Sequence, residues 1–250
     1  MSDLIQGLWV GDRLSTLEIL SIRSFLAHGH EYVLYTYEAV ENLPEGAQER
    51  DANAVLPVSS IFQYTDHASF AGFSNFFRYK LLLEYGGWWA DTDVICLKRF
   101  DFAAPFVFAS EITARGAVPT SAVIKAPPAS EAMARAWRVC LEKNPRLLKW
   151  GETGPKLVAE IIALFSLDRF LLPPAAFCPV SCHDWRRLFE PDSGIEICRH
   201  SYAIHLWNEM WRRGAGDKDR LYDAGSLYGS LQHKYLEVAF TGRGNENCGL

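Results

Sequence analysis

An apolar run broken by two carboxylates, YGGWWADTDVICL at residues 85–97, restricts the fold of this chain more than any other stretch. A charge inside such a run is costly to bury unless it is paired or coordinates a metal. The double glycine can end a preceding helix, and the apolar residues on either side of the carboxylates favour short buried strands. Asp91 and Asp93 are therefore expected at a strand–turn–strand, with both carboxylates on the same side of the chain.

Strand-like and helix-like segments alternate along the chain, which predicts an α/β fold. Strands are predicted at residues 4–10, 32–37, 87–90, 94–97, 106–109 and 122–125. Helices are predicted from Ser15 to Gly29, where Ser15 and Glu18 form a capping box, and over residues 68–85. Two more helices are expected to begin near Ser130 and near Thr153, which is a good N-cap with Pro155 in the first turn. Residues 171–206 are predicted to form short strands and loops.

The 250 residues could form one large domain or two small ones, and 49% of them are hydrophobic, which is enough for a sizeable core. The sequence contains no internal repeat, no low-complexity segment and no clear linker. We therefore expect a single domain over residues 1–250, with a peripheral C-terminal segment from about Trp207.

The charge balance and the cysteines exclude several classes of protein. A net charge of −5 without a basic patch argues against a nucleic-acid partner. The N-terminus does not resemble a signal peptide, and no run reaches the roughly 18 apolar residues of a membrane span. Of the six cysteines, only Cys178 and Cys182 are close together, and without a second pair they do not predict a structural zinc site. The sequence thus predicts a cytoplasmic protein with reduced cysteines.

The D-x-D triplet by itself is a weak signal. With 13 aspartates in the chain, roughly one such triplet is expected by chance, and Asp217 and Asp219 form a second one in a polar loop. Two carboxylates at this spacing suit Mg²⁺ or Mn²⁺, but they could also be turn aspartates that cap the backbone. A phosphoaspartyl enzyme of the haloacid-dehalogenase type is disfavoured because Ile95 stands where that class has threonine.

The longer string FSNFFRYKLLLEYGGWWADTDVICLKRFD, at residues 73–101, resembles the sugar-binding region of a DXD-containing glycosyltransferase family. Members of this family include yeast initiating mannosyltransferases, vertebrate α-1,4-galactosyltransferase and bacterial capsule and lipopolysaccharide enzymes. The positions that match the family pattern are Ser74, Arg78, Tyr79, Gly86, Gly87, Asp91 and Asp93. The resemblance implies a GT-A fold, a Rossmann-like α/β sandwich with a mixed central sheet. The sequence departs from the pattern at Asn75, where the family usually has an aspartate that helps to hold the donor.

Two further segments resemble donor-binding parts of this family and of its more distant relatives, the large clostridial glucosylating toxins. GLWVG, at residues 7–11, implies that Trp9 stacks on a uracil base, although a core tryptophan would also fit. WGETGPKLVAEII implies a helix start at Gly154 and Pro155 that faces the donor, with Glu152 as a speculative extra contact. A plain capped helix is the alternative for this second segment.

The segment YAIHLWNEMW resembles the part of the galactosyltransferases in which a histidine follows a short strand. This resemblance implies that His205 completes a Mn²⁺ or Mg²⁺ site with Asp91 and Asp93. Trp207 and Trp211 could close over the donor phosphates, or either could be a core residue. Arg78 is expected to act in catalysis by contacting the sugar or a phosphate, with a surface salt bridge as its alternative.

The resemblance implies a metal-dependent retaining glycosyltransferase that moves a sugar from a nucleotide sugar, most simply a UDP-sugar, to a glycan or lipid-linked acceptor. It places the chain in bacterial polysaccharide biosynthesis, with peripheral contact at the inner face of the membrane. No carboxylate is identified as a nucleophile, and residues 42–60 together with the segment after Trp207 are expected to select the acceptor. The alternative is a non-catalytic relative that binds a nucleotide sugar or glycan, which only Asn75 supports.

Overall fold

The computed structural model describes residues 4–66, 68–114, 116–191, 201–214 and 216–236. The strands in this part of the chain are β1 (Ile5–Trp9), β2 (Tyr32–Thr36), β3 (Gln48–Asp51), β4 (Gly87–Ala90), β5 (Val94–Cys96), β6 (Val107–Thr113), β7 (Gly116–Ala126) and β8 (Ala203–His205). The helices are α1 (Thr16–Ala27), α2 (Ala71–Glu84), α3 (Glu131–Leu141), α4 (Pro155–Leu164), α5 (Pro174–Phe177), α6 (Asn208–Arg213) and α7 (Leu227–Leu236). Short 3₁₀ segments lie at Ala52–Ala54, Val58–Ser60, Pro145–Leu147, Asp168–Phe170 and Cys182–Phe189.

Six strands form a mixed central sheet in the order β3-β2-β1-β4-β7-β6. Strands β1, β2, β3 and β4 run parallel to one another, whereas β7 is antiparallel to both β4 and β6. A second, two-stranded sheet pairs β5 with β8 in antiparallel fashion. The predicted α/β fold with a mixed central sheet is therefore confirmed.

The two faces of the central sheet are covered by different helices, which gives a sandwich. Helices α2, α3 and α4 pack on one face around residues such as Phe77, Met133 and Leu157. Helices α1, α5, α6 and α7 pack on the other face together with the small sheet. The segment after Trp207 contributes Trp211 and Tyr228 to this second core.

The predicted signals at helix ends are mostly confirmed. Ser15 caps α1, and its backbone N–H donates to the Glu18 carboxylate at 3.0 Å. After α2, Gly86 and Gly87 adopt φ angles of 63° and 88°, a region that favours glycine. The N-cap of α4 is Gly154 rather than Thr153, which corrects the prediction. Thr153 is fully buried and its carbonyl accepts a 2.8 Å hydrogen bond from the Tyr79 hydroxyl, so contact with α2 decides the helix start.

Some elements differ from the prediction. Strand β3 was not predicted, because all four of its residues are exposed and polar and carry no apolar pattern. The strand predicted at residues 122–125 is the end of the much longer β7. The region expected to be strands and loops contains α5 and the 3₁₀ segment Cys182–Phe189, and its residues 192–200 lie outside the described part of the chain.

Four of the six cysteines lie in the described residues. Cys96, Cys140, Cys178 and Cys182 are free thiols, while Cys198 and Cys248 lie outside the described residues. Among the residues that the structure describes, no helix combines the length and the apolar character that a membrane crossing requires.

Candidate active site

A cavity of about 560 Å³ lies at the carboxyl ends of β1 and β4, which are neighbouring parallel strands. Open α/β sheets commonly bind ligands outside the carboxyl ends of their strands. The wall contains Trp9 at the end of β1 and Asp91 directly after β4. The structure thus places Trp9, which the resemblance predicts to stack on the base, and the D-x-D triplet at one cavity.

The triplet forms the turn by which the chain leaves the central sheet and enters the small one. The Asp91 backbone N–H donates to the Ala122 carbonyl of β7 at 2.8 Å, and the Val94 N–H donates back to the Asp91 carbonyl at 3.1 Å. Both carboxylates also accept hydrogen bonds from neighbouring parts of the protein. Asp93 accepts a 2.7 Å hydrogen bond from the Asn208 backbone, and Asp91 accepts one of 2.9 Å from the Trp89 indole N–H. These bonds fix the orientation of both carboxylates.

His205 joins the two aspartates because β8 pairs with β5, with His205 opposite Val94. One ligand atom of each of Asp91, Asp93 and His205 lies within 4.8 Å of the others. Two carboxylates and an imidazole are donors that suit Mn²⁺ and Mg²⁺. The residues therefore fit the predicted divalent ion.

Burial and mutual charge shift the pKa values of these three groups. Burial raises the pKa of the Asp91 carboxyl above its usual range, although the Arg78 charge opposes this effect. Burial also acts to raise the pKa of Asp93, but the charge and hydrogen bond of His205 outweigh it and the pKa falls. Burial acts to lower the pKa of His205, yet Asp93, with Oδ2 at 3.2 Å from Nε2, raises it well above its usual value. Without a metal, the site thus favours a charged pair of Asp93 and His205.

Arg78 is buried, with 3% of its side chain exposed, so the surface salt bridge is excluded as its environment. One terminal nitrogen lies 3.0 Å from Asp91 Oδ1 and also donates to the Ser74 hydroxyl at 2.9 Å. The other terminal nitrogen donates to the Ser121 carbonyl, and the guanidinium stacks 4.8 Å above the Trp89 ring. Arg78 lines the cavity and holds Asp91 in place.

Trp9 and Trp207, the two cavity tryptophans predicted to contact the donor, differ in their surroundings. Trp9 is half-buried, donates its indole N–H to the Arg13 carbonyl at 3.1 Å and lies below the Lys218 ammonium, 5.9 Å from the ring centre. Trp207 packs its ring 4.0 Å from that of His205 and has a left-handed backbone, with φ of 58°. Such a conformation is uncommon for a bulky residue, and it places Trp207 against the predicted metal ligand.

Asn75 is buried where α2 meets β7 and the start of α4. Its side-chain oxygen accepts from the Ser121 hydroxyl at 3.2 Å, and its nitrogen lies 3.5 Å from the Thr153 hydroxyl. Pro155 lines the cavity, whereas Gly154 is buried behind Asn75, where a Cβ would lie 3.2 Å from the Asn75 nitrogen. The amide therefore ties together three elements at the site.

Trp211 and Glu152, like Gly154, do not line the cavity. Trp211 is fully buried and donates its indole N–H to the Leu206 carbonyl at 2.7 Å, so it belongs to the core. Glu152 forms a 2.6 Å ion pair with Lys143 and also accepts from the Lys149 backbone. Trp211 is therefore a core residue, which was the alternative to a contact with the donor phosphates.

Several cavity residues were not predicted. The register between β6 and β7 shifts between Phe108 and Ser110, and this irregularity brings Thr120 and Ser121 to the cavity wall together with Glu111. β-bulges are common next to active sites. At the opposite rim, Trp150 packs its ring 5.1 Å from that of Tyr64. Trp150 begins the segment WGETGPKLVAEII, whereas Tyr64, Glu111, Thr120 and Ser121 belong to no motif that the sequence analysis identified, so the fold alone brings them to the cavity.

Comparisons with known proteins agree with this site. Residues 22–111 match the family model described as a glycosyltransferase sugar-binding region containing the DXD motif. Residues 146–235 match the model described as an alpha 1,4-glycosyltransferase conserved region. These two ranges contain the D-x-D turn and His205, respectively.

Individual relatives are more distant. Lactosylceramide 4-alpha-galactosyltransferase of Pongo pygmaeus is 29% identical over 146 residues, which are 53% of this chain and 65% of that protein. Alpha-1,4-N-acetylglucosaminyltransferase of Homo sapiens is 27% identical over 157 residues, or 55% of this chain and 42% of that protein. The chain thus covers less than two thirds of the length of either relative.

Two solved structures are similar over almost the whole chain. The PaToxG glycosyltransferase gives a TM-score of 0.50 at 14% identity and covers 94% of this chain and 85% of its own. The ligand-free glycosyltransferase domain of the YGT toxin gives a TM-score of 0.53 at 9% identity, and the match covers 100% of this chain and 92% of that domain. At such identities the likeness shows the fold, which is the predicted GT-A type. Both sequence models are matched, so the chain contains a sugar-binding region of the DXD-containing glycosyltransferases and an alpha 1,4-glycosyltransferase conserved region.

Proposed function

We propose that this protein is a metal-dependent retaining glycosyltransferase that transfers a sugar from a UDP-sugar to a glycan or glycolipid. The observation that carries the proposal is the convergence of Asp91, Asp93 and His205 within 4.8 Å in a cavity that Trp9 also lines. The names of the relatives, which act on lactosylceramide or transfer N-acetylglucosamine, support a glycan or glycolipid acceptor.

The divalent ion, Mn²⁺ or Mg²⁺, would supply Lewis-acid neutralisation of the diphosphate that leaves. Asp91, Asp93 and His205 would hold it, and the hydrogen bonds from Trp89 and Asn208 keep the two carboxylates oriented for that task. Because Arg78 also contacts Asp91, a single buried cation positions the first ligand.

The order of the strands suggests how the donor lies along the sheet. Trp9 ends β1, Asp91 follows the neighbouring β4, and Ser121 belongs to β7 on the far side of β4. With neighbouring strands about 4.8 Å apart, a base on Trp9 and a sugar near Ser121 would lie roughly 10 Å apart with the diphosphate between them. Arg78 would reach the sugar through the N–H group that its protein partners leave free.

The remaining predicted donor contacts keep supporting roles in this proposal. Asn75 would present its amide towards the sugar, Pro155 at the start of α4 would line the donor side, and Trp207 would pack over the phosphates. Attack of the acceptor hydroxyl on the donor face from which the diphosphate leaves would retain the configuration, and no protein nucleophile is assigned.

A second candidate function is binding of a nucleotide sugar or glycan without transfer. The observation that favours it is Asn75, a neutral amide that already bonds Ser121 and stands where the family usually has a carboxylate. Turnover separates the two functions, because a binding protein would retain affinity for UDP-sugars without cleaving them.

We also propose that the chain works as one domain in the cytoplasm and touches the membrane from its inner face. The segment between α3 and α4 supports the membrane contact. Leu147 is 75% exposed there, next to exposed Arg146, Lys149 and Trp150, and Trp150 also lines the cavity. Apolar and basic side chains together suit an anionic lipid surface. The wild type should sediment together with vesicles of phosphatidylcholine and phosphatidylserine, whereas Leu147→Ser should remain in the supernatant. Equal sedimentation of the two proteins would contradict this contact.

The proposed activity is tested by incubating the protein with a panel of UDP-sugars and a glycan array, with Mn²⁺ or with EDTA. We expect one donor to be consumed and its sugar to appear on a glycan in the presence of Mn²⁺ only. Asp93→Asn should lose this turnover, whereas Asp217→Asn, in the exposed second D-x-D triplet, should keep it. Binding of UDP-sugars without any turnover would instead support the binding function.

A further inference from the structure

Glu111 is a carboxylate of the cavity wall that no part of the proposed donor site uses. It lies on β6, only 9% of the residue is exposed, and it lines the same cavity as Asp91. In the part of the chain that the structure describes, its carboxylate makes no hydrogen bond and no salt bridge.

A buried carboxylate of this kind is unusual. Burial of an unpaired carboxylate is costly, so buried acids usually pair with a cation or accept several N–H bonds. The two opposing charges near Glu111 are His205 and His183, and burial outweighs them, so the pKa of the Glu111 carboxyl is raised. The oxygens of Glu111 therefore have hydrogen-bonding capacity that the described protein groups do not satisfy.

The position of Glu111 in the sheet places it beyond the proposed donor sugar. Strand β6 follows β7 at the edge of the central sheet, and Glu111 lies opposite Val118, two residues from Thr120. Trp9 is on β1, three strands away, or roughly 14 Å at about 4.8 Å per strand. The base end of the cavity and Glu111 are thus on opposite sides of the D-x-D turn.

From these observations we propose that Glu111 binds the acceptor sugar, with its carboxylate oxygens accepting hydrogen bonds from two neighbouring hydroxyls. The inference rests on the proposed glycosyltransferase function and names the place where that acceptor is held. A carboxylate is a hydrogen-bond acceptor only, so it matches the hydroxyl groups of a neutral glycan and would repel an anionic one. Thr120 and Cys182 line the cavity next to it and would contact the same sugar.

The test compares Glu111→Ala and Glu111→Gln with wild type, using the best glycan of the array as acceptor and the accepted UDP-sugar with Mn²⁺. We expect Glu111→Ala to raise the acceptor KM by roughly 10- to 100-fold, the loss that corresponds to hydrogen bonds with a charged group. The donor KM and donor hydrolysis by water should change less than about twofold by the same reasoning. Glu111→Gln should lie between the two, because an amide keeps one acceptor oxygen.

A thermal melt separates this role from a structural one. Since the described residues give the buried Glu111 carboxylate no hydrogen-bond partner, Glu111→Ala should melt at or above the temperature of wild type. Removal of a structural carboxylate would instead lower the melting temperature. Glu84→Gln, at an exposed i,i+4 pair with Lys80 outside the cavity, is the matched control and should leave all four readouts unchanged.

The outcomes divide cleanly. The role of Glu111 would be overturned if Glu111→Ala left the acceptor KM unchanged, or if it slowed donor hydrolysis as much as transfer. It would also be overturned if the wild type cleaved the donor without transfer to any glycan. Each of these results would leave the proposed donor chemistry in place. Absence of metal-dependent donor cleavage in wild type would overturn the proposed function itself, and the acceptor role with it.

Discussion

Replacement of Arg78 by methionine removes the guanidinium that lies 3.0 Å from the first aspartate of the D-x-D turn. Methionine keeps most of the apolar stem, so the loss falls on the guanidinium contacts with Asp91, Ser74 and Ser121. Breaking a buried ion pair from one side typically costs about 3–5 kcal/mol. The Asp91 side chain is 26% exposed, so water recovers part of that energy, and we expect a loss of about 2–4 kcal/mol.

Chemical denaturation with urea at neutral pH, in EDTA, measures this loss as a change in the free energy of unfolding. For a chain of this size, a loss of about 3 kcal/mol corresponds to a fall in Tm of roughly 6–12 °C. The matched control is Arg13→Met, because Arg13 pairs with Glu41 at 3.4 Å with 68% and 66% of the two side chains exposed. That pair should contribute less than about 1 kcal/mol. If both variants lost the same small amount, the argument that Arg78 is a buried anchor of Asp91 would be wrong.

Three other predictions concern the same region. Gly7→Ala should destabilise the protein by about 1–3 kcal/mol, because its Cβ would lie 2.7 Å from the buried Tyr32 hydroxyl; Tyr32→Phe should relieve part of this in a double-mutant cycle measured by urea denaturation. Trp9→Ala should weaken UDP binding by roughly tenfold, as expected for a lost stacking platform, while Trp9→Phe keeps most of the affinity in calorimetry. Trp211→Phe should lower the melting temperature but leave the Kd for UDP unchanged, since Trp211 is in the core; a weaker Kd would return Trp211 to the site.

Much of the fold could be predicted because its central strands are apolar and its helix ends carry clear signals. The capping box at Ser15, the double glycine after α2 and the two strands around the D-x-D turn all follow from local rules. Strand β3 could not be predicted, because an exposed edge strand of polar residues has no hydrophobic pattern. Its pairing with β2 exists only in the folded sheet.

The candidate site divides in the same way. Asp91, Asp93 and Arg78 belong to one spaced motif and were predicted. His205 was predicted only through resemblance, because it lies 111 positions after Val94 and reaches the site only when β8 pairs with β5, which places His205 opposite Val94. Trp211 and Trp207 look alike in sequence, but the register of one short helix sends the first into the core. Glu111 carries no sequence signal, since its importance depends on a register shift between two strands.

The most direct test of the central claim is calorimetric titration of UDP into the protein with Mn²⁺ and again with EDTA, for wild type, Asp93→Asn and Asp217→Asn. If Asp91, Asp93 and His205 hold the ion that binds the diphosphate, EDTA and Asp93→Asn should each weaken binding on the order of 100-fold, about 2.7 kcal/mol. Asp217→Asn should bind as wild type does. If wild type in EDTA and Asp93→Asn with Mn²⁺ both bound UDP as tightly as wild type with Mn²⁺, a metal-dependent donor site would be contradicted.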